Sequence, residues 1–238
     1  MKFINLIKKL INPFKIDIVK YPNSDLRRRR KLLEHHKISK ILDVGANVGQ
    51  YAMLTRKLGF KGKILSFEPI LSEFNKLSKN SKKDKNWKIY NLAIGSREEK
   101  STINISRNSY SSSMLEILES HTSCSPDSRF IKKEAINVTT IDKLFGDLVN
   151  KNDVVFLKID VQGAEKDVIQ GAEESLKRIK GIQIEMSLEE LYKDESLFLE
   201  MVMRLKNLGF NLYSLENGFF NASTGKLLQV DGIFFRDE

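Results

Sequence analysis

Short apolar runs alternate along this chain with longer stretches in which apolar residues recur every three or four positions. Lys40 to Val44 (KILDV), Lys63 to Phe67 (KILSF), Trp87 to Ile94 (WKIYNLAI), Val154 to Val161 (VVFLKIDV) and Gly181 to Met186 (GIQIEM) read as buried strands. Helical spacing follows four of them, over about Gln50 to Leu58, Leu71 to Ser78, Ala164 to Ala172 and Leu197 to Leu208. This order predicts an α/β fold, a Rossmann-like and mostly parallel sheet with helices on both faces. Phe210 to Leu215 and Gly232 to Arg236 close the chain as two more strands. Only roughly sixteen residues join them, with turn signals at Asn217-Gly218 and Thr224-Gly225. No crossover helix fits in that length, so the last strand is expected to be antiparallel.

Two stretches depart from this rhythm. Residues 98–144 exceed a simple connection and are rich in serine, among them Ser109, Ser111, Ser112, Ser113, Ser120 and Ser123. Long insertions in compact domains are usually lids or binding loops, and this one is expected to cover a site and select substrate. The other stretch is residues 1–38, taken as a basic, helical N-terminal segment ahead of a domain spanning 39–238. In it Phe3, Leu6, Ile7, Leu10, Ile11 and Phe14 share helical spacing, punctuated by Lys8, Lys9 and Lys15. The run is too short to span a bilayer and lacks the apolar block and cleavage site of a signal peptide. Two readings stay open for residues 1–20: an interfacial helix on the inner membrane surface, or a helix docked on the domain. After Pro22, Ser24 or Asp25 is expected to cap a second helix, and most of Arg27 to Arg30 are expected to be solvated.

The charge map narrows the partners. Of the 238 residues, the first 40 hold 12 Lys or Arg and 3 Asp or Glu, so the whole net charge of +9 lies there. The remaining body is neutral, whereas a nucleic-acid enzyme tends to carry basic residues around its active face. A basic end suits an anionic surface instead. Cys124 is the only cysteine, which excludes an intrachain disulfide and a cysteine metal cluster and fits a cytoplasmic setting.

Candidate chemistry begins at Asp43-Val44-Gly45-Ala46-Asn47-Val48-Gly49, between a predicted strand and a predicted helix, where open α/β sheets bind ligands. Gly45 permits a tight turn and close approach of a ligand. The two glycines are four apart, not the GxGxxG of dinucleotide binders, and Asp43 suits an ammonium group better than a pyrophosphate. Glu68 ends the second strand 19 residues after Gly49, where a carboxylate can accept both ribose hydroxyls or cap the next helix.

DVGANVGQYA, ILSFEP, NLAIGS, YSSSML, VTTID, FLKIDVQGAE, IQIEMS and TGKLLQVDGIFFR, in that order, resemble the FkbM family of methyltransferases over about residues 22–236. The parallel sheet with a closing antiparallel strand is likewise the layout of the class I methyltransferase fold. The resemblance implies S-adenosylmethionine as methyl donor and O-methylation, most often of a sugar hydroxyl in a glycan, glycolipid or natural-product precursor. It implies that Asp43, Gly45, Ala46, Asn47 and Gly49, with Tyr51 beside them, hold the methionine part. Glu68 with Pro69 would hold the ribose, Asn91 to Ala93 would lie near the adenine, and Asp160 would face the transferring methyl. Ser113, with Ser111 and Ser112, matches the family's serine motif.

Methyl transfer to oxygen asks the protein to align the acceptor and remove its proton. Asp160 is the first candidate for that proton, with Glu185 at the end of the fifth strand and His121 in the insertion behind it. A solvated loop histidine is the plainer account of His121, and a helix cap that of Asp160. His35 and His36 read as structural or solvated, and Tyr192 is the aromatic most suited to stacking on a sugar. The Asn/Asp-Pro-Pro-aromatic signature common in DNA N-methyltransferases is missing after the fourth strand. Asp160 and Glu185 with one further oxygen would suffice for Mg²⁺, yet no spacing demands a metal. Competing readings are a nucleic-acid methyltransferase, opposed by the charge map, and a noncatalytic family member, opposed by the intact Asp43, Gly45, Gly49, Glu68 and Asp160.

Overall fold

The computed structural model describes residues 21–237, and the expectations for residues 1–20 lie outside that range. Helix α1 (Ser24–His35) leads into β1 (Lys40–Val44), α2 (Gln50–Lys57), β2 (Lys63–Phe67), α3 (Leu71–Ser81) and β3 (Trp87–Tyr90). A second group follows: β4 (Ala93–Ile94), β5 (Glu99–Ser106), α4 (Glu119–Thr122) and β6 (Phe130–Thr139). The chain then returns through α5 (Ile141–Leu148), β7 (Val155–Ile159), α6 (Glu165–Gln170), α7 (Glu173–Leu176) and β8 (Ile179–Ser187). It ends with α8 (Phe198–Asn207), β9 (Asn211–Asn217) and β10 (Gln229–Phe235).

Seven strands form the main sheet in the order β3-β2-β1-β7-β8-β10-β9. All neighbours are parallel except β10, which runs antiparallel to both β8 and β9. Strand order reverses between β1 and β7, so the ends of these two strands open the crevice in which such sheets bind ligands. Every residue of β1 and β7 is buried, as expected of central parallel strands covered on both faces. Leu42, Val44, Leu157, Ile159, Ile182 and Ile184 pack one face against α5 and α8. Ile41 and Phe156 face the other way and meet Leu33 of α1 and Ala52 of α2.

Four local expectations are corrected. The cap of α1 is Asn23, whose side chain accepts a hydrogen bond from the Leu26 amide, not Ser24 or Asp25. WKIYNLAI is two strands. Its first half pairs with β2 as far as Phe67↔Tyr90, and there β2 runs out. The Asn91 side chain then donates to the carbonyls of Glu68 and Pro69, the chain turns, and Ala93–Ile94 join β6 in a separate sheet. The helix expected over 164–172 breaks at Gly171, whose carbonyl accepts from Asp142, and where a Cβ would lie 2.0 Å from the Gly95 oxygen. Finally, residues 98–144, expected as a lid or binding loop, hold regular structure. They supply β5 and β6, which with β4 make a three-stranded sheet around Ile103, Ile105, Ile136 and Val138.

Of the four arginines, Arg29 is buried and pairs with Glu216 of β9, while Arg28 donates to Ser214 at 2.9 Å. Arg30 makes a surface pair with Glu34. His36 stacks on Phe235 with ring centres 3.8 Å apart.

Candidate active site

The Gly45 turn is built by close approach. Gly45 and Ala46 both donate from their main chain to the Phe67 carbonyl, at 3.1 and 3.0 Å. Gly45 has φ +73°, and a Cβ on it would sit 1.7 Å from the Asp160 carbonyl oxygen, so only glycine lets the ends of β1 and β7 meet. Gly49 serves packing instead: a Cβ there would strike the Trp87 ring at 2.6 Å.

Glu68 holds this turn from the next strand. One carboxylate oxygen accepts from the Asn47 amide and the other from the Ile70 amide, both at 2.8 Å. The carboxyl is 4% exposed, and burial pushes its pKa up to about 7 against those two hydrogen bonds. Each oxygen keeps a second lone pair, so the side chain can brace the loop and still accept ribose hydroxyls.

A cavity of about 450 Å³ opens beside this turn. Gly45, Ala46, Asn47, Tyr51, Glu68, Pro69, Ala93, Asp160 and Glu185 line it. Five candidates lie outside its wall. Asp43 is fully buried beneath it, donated to by the Ser66 hydroxyl at 2.8 Å, and the ammonium it faces is that of Lys158 at 3.6 Å. Gly49 packs as described, and Asn91 makes its turn. Ser113 donates to the Gln162 carbonyl at 2.6 Å. His121 is buried against Tyr192 and Phe219, with its pKa lowered to about 4 by burial, and is not at the cavity. Tyr192, expected to stack on a sugar, has no exposed ring at all; only its hydroxyl reaches the site. Ser109, Tyr110, Ser112 and Met114 of the inserted segment also line the cavity.

The far end of the cavity is a polar bed on the α1 side of the sheet. Lys158 of β7 is buried and lies 3.2 Å from the Gly45 carbonyl and 3.3 Å from Asp160 Oδ2. Burial alone would lower its pKa; the Asp160 and Asp43 carboxylates outweigh that and raise it, so it stays an ammonium. Gln183 and Glu185 of β8 and Asp231 of β10 join the same bed, and Arg29 reaches it from α1. Asp231 sits directly across the ladder from Glu185. Burial, then Asp160 and Asp231, push the Glu185 pKa well up. Glu165 stays out of the cavity and accepts from the Val161 and Gly163 amides, both at 2.9 Å, which shapes the loop carrying Gln162.

Arg29, Lys158, Gln162, Gln183 and Asp231 escape the sequence reading. Lys158, Gln183 and Asp231 leave a faint signal, single polar residues at alternate positions of otherwise apolar strands, as in VFLKI, GIQIEM and QVDGIFF; Arg29, in a helix, and Gln162, in a loop, leave none of that kind. Among the described residues, no group of three or more His, Cys, Asp or Glu is placed to hold a metal ion, and no helix is long and apolar enough to cross a membrane.

The seven-stranded sheet with its reversed last strand, the glycine turn after β1 and the carboxylate after β2 define an S-adenosylmethionine-dependent methyltransferase of class I. The methyltransferase FkbM domain matches residues 43–212, and the chain belongs to that family. Solved structures of similar fold include an rRNA methylase from Streptococcus thermophilus, 10% identical with a TM-score of 0.48, covering 93% of this chain and 99% of that one. Another is magnesium protoporphyrin IX methyltransferase from Synechocystis PCC 6803 with bound SAM, 8% identical with a TM-score of 0.49, covering 98% and 96%. No curated protein matches the chain in sequence.

Proposed function

We propose that the chain O-methylates a hydroxyl of a polyhydroxylated acceptor, such as a sugar unit of a glycan, glycolipid or natural-product precursor, and that Glu185 takes the hydroxyl proton. S-adenosylmethionine supplies a methyl group already activated on a sulfonium. Gly45, Ala46 and Asn47 offer it a glycine turn, and Glu68 offers lone pairs for ribose hydroxyls. The single observation that carries the acceptor reading is the Glu185 carboxylate. Its Oε2 accepts from Gln162 at 2.7 Å and from Gln229 at 2.9 Å, and among the described residues no hydrogen bond reaches Oε1. A buried carboxylate with a raised pKa and one free oxygen on a cavity is a suitable proton acceptor.

Asp160 is less suited to that task, because Gln162 occupies one of its oxygens at 2.9 Å and Lys158 the other at 3.3 Å. It serves better as a fixed negative charge near the methyl group.

The experiment is transfer from methyl-labelled S-adenosylmethionine to a panel of sugars, glycolipid precursors and nucleic acids, with calorimetric titration of the cofactor in parallel. Wild-type protein is expected to label a hydroxylated acceptor. Glu185→Gln is expected to lose transfer while binding the cofactor as before. Undiminished transfer by Glu185→Gln, or label found on nitrogen, overturns the reading.

A further inference from the structure

Gln162 adopts φ +58°, a left-handed conformation that residues with a Cβ seldom occupy. Such strain persists only where the surroundings impose it. Here every polar group of the side chain is engaged. Nε2 donates to Asp160 Oδ1 at 2.9 Å and to Glu185 Oε2 at 2.7 Å. The Tyr192 hydroxyl lies 2.8 Å from Oε1 and 3.1 Å from the Ser111 carbonyl. The main-chain carbonyl accepts from Ser113 at 2.6 Å. Chemistry fixes which way the amide points. Only its nitrogen can face two carboxylates, and only its oxygen can accept from a phenol.

We propose that Gln162 is a positioning residue for proton removal: its amide spans the two carboxylates, favours the ionised form of Glu185, and leaves the second Glu185 oxygen turned to the cavity. Tyr192 acts one step further out. Its single hydroxyl proton goes to the nearer acceptor, Gln162 Oε1 at 2.8 Å, and anchors the amide oxygen. Without the amide, Gln229 would be the one donor left on Glu185, which faces the Asp160, Asp231 and Glu165 carboxylates with only the Lys158 ammonium opposing them, and the buried acid would hold its proton to higher pH. The proposal rests on the reading of Glu185 as proton acceptor.

The test is titration of Glu185 by carboxyl carbon NMR in glutamate-labelled protein, assigned with Glu185→Gln, together with calorimetry of S-adenosylmethionine. Gln162→Gly removes the amide while relieving the backbone, since glycine adopts positive φ freely. The Glu185 midpoint is expected to rise by roughly one unit or more in Gln162→Gly, the size of one lost hydrogen bond to a charged acceptor. Tyr192→Phe, which keeps every backbone contact, is expected to move it in the same direction by less. Cofactor affinity is expected to hold in both. A Glu185 midpoint unmoved in Gln162→Gly overturns the proposal; if that variant does not fold, an unmoved midpoint in Tyr192→Phe does so. Failure of wild-type protein to bind S-adenosylmethionine would instead strike the functional reading, and the titration would still report on Gln162.

Discussion

Glu68, in its proposed role at the ribose, ties cofactor binding to pH in a way that can be measured without knowing the acceptor. Its carboxyl titrates near 4.5 when exposed and at about 7 in the fold, chiefly because burial disfavours the charged form. The folded protein therefore prefers Glu68 protonated. That preference stabilises the fold fully below the unfolded pKa and is lost as pH rises through about 7. The difference corresponds to about 3 kcal/mol between acidic and alkaline limits. In Glu68→Gln the group no longer titrates, so one lost acceptor shifts stability by a constant while the slope between pH 4.5 and 8 flattens. Glu165, raised to about 7 by its own burial, titrates in the same window but is common to both proteins and cancels in the difference. Cofactor binding runs the opposite way. Ribose hydroxyls and a cationic sulfonium both favour the ionised carboxylate, so affinity for S-adenosylmethionine is expected to climb from pH 5.5 to 8. Urea unfolding and calorimetry across that range, on both proteins, provide the comparison. Parallel stability profiles, or a cofactor affinity with no pH dependence in the wild type, would refute the reasoning.

Two other expectations follow from the same electrostatics. Lys158→Met strips the ammonium from buried Asp43 and should destabilise the protein by about 3–5 kcal/mol, the usual cost of an orphaned buried charge. Adding Asp43→Asn should recover much of that in urea unfolding, and a double variant no more stable than the single one would speak against the pairing. His121 stays neutral in the fold, so it makes the wild type lose stability as pH falls from 6.5 towards about 4. His121→Phe is expected to flatten that acid limb and leave methyl transfer intact. A loss of transfer in a stable His121→Phe protein would return His121 to the site.

The sheet and the glycine-turn end of the cavity were legible because both depend on short stretches of chain. KILDV and KILSF are apolar runs bounded by turn residues, and they form strands with those same limits. The Gly45 turn and Glu68 lie at the ends of those strands, so placing the strands placed them. The antiparallel close followed from the length of one connection. What the sequence alone left undecided is everything that depends on register and on distant contacts. Lys158 meets Gln183, and Asp231 meets Glu185, only because three strands pair in one particular alignment. A shift of one residue would turn each of these side chains to the opposite face. Arg29 enters the site through Glu216, far away along the chain, and His121 leaves it because its ring packs against Tyr192 and Phe219, distant in sequence. The identity of a residue and its neighbours set local structure and hence the glycine turn after β1. Which acids face one another, which amide spans them and which histidine is sealed away are decided only when the tertiary fold brings polar groups together out of water.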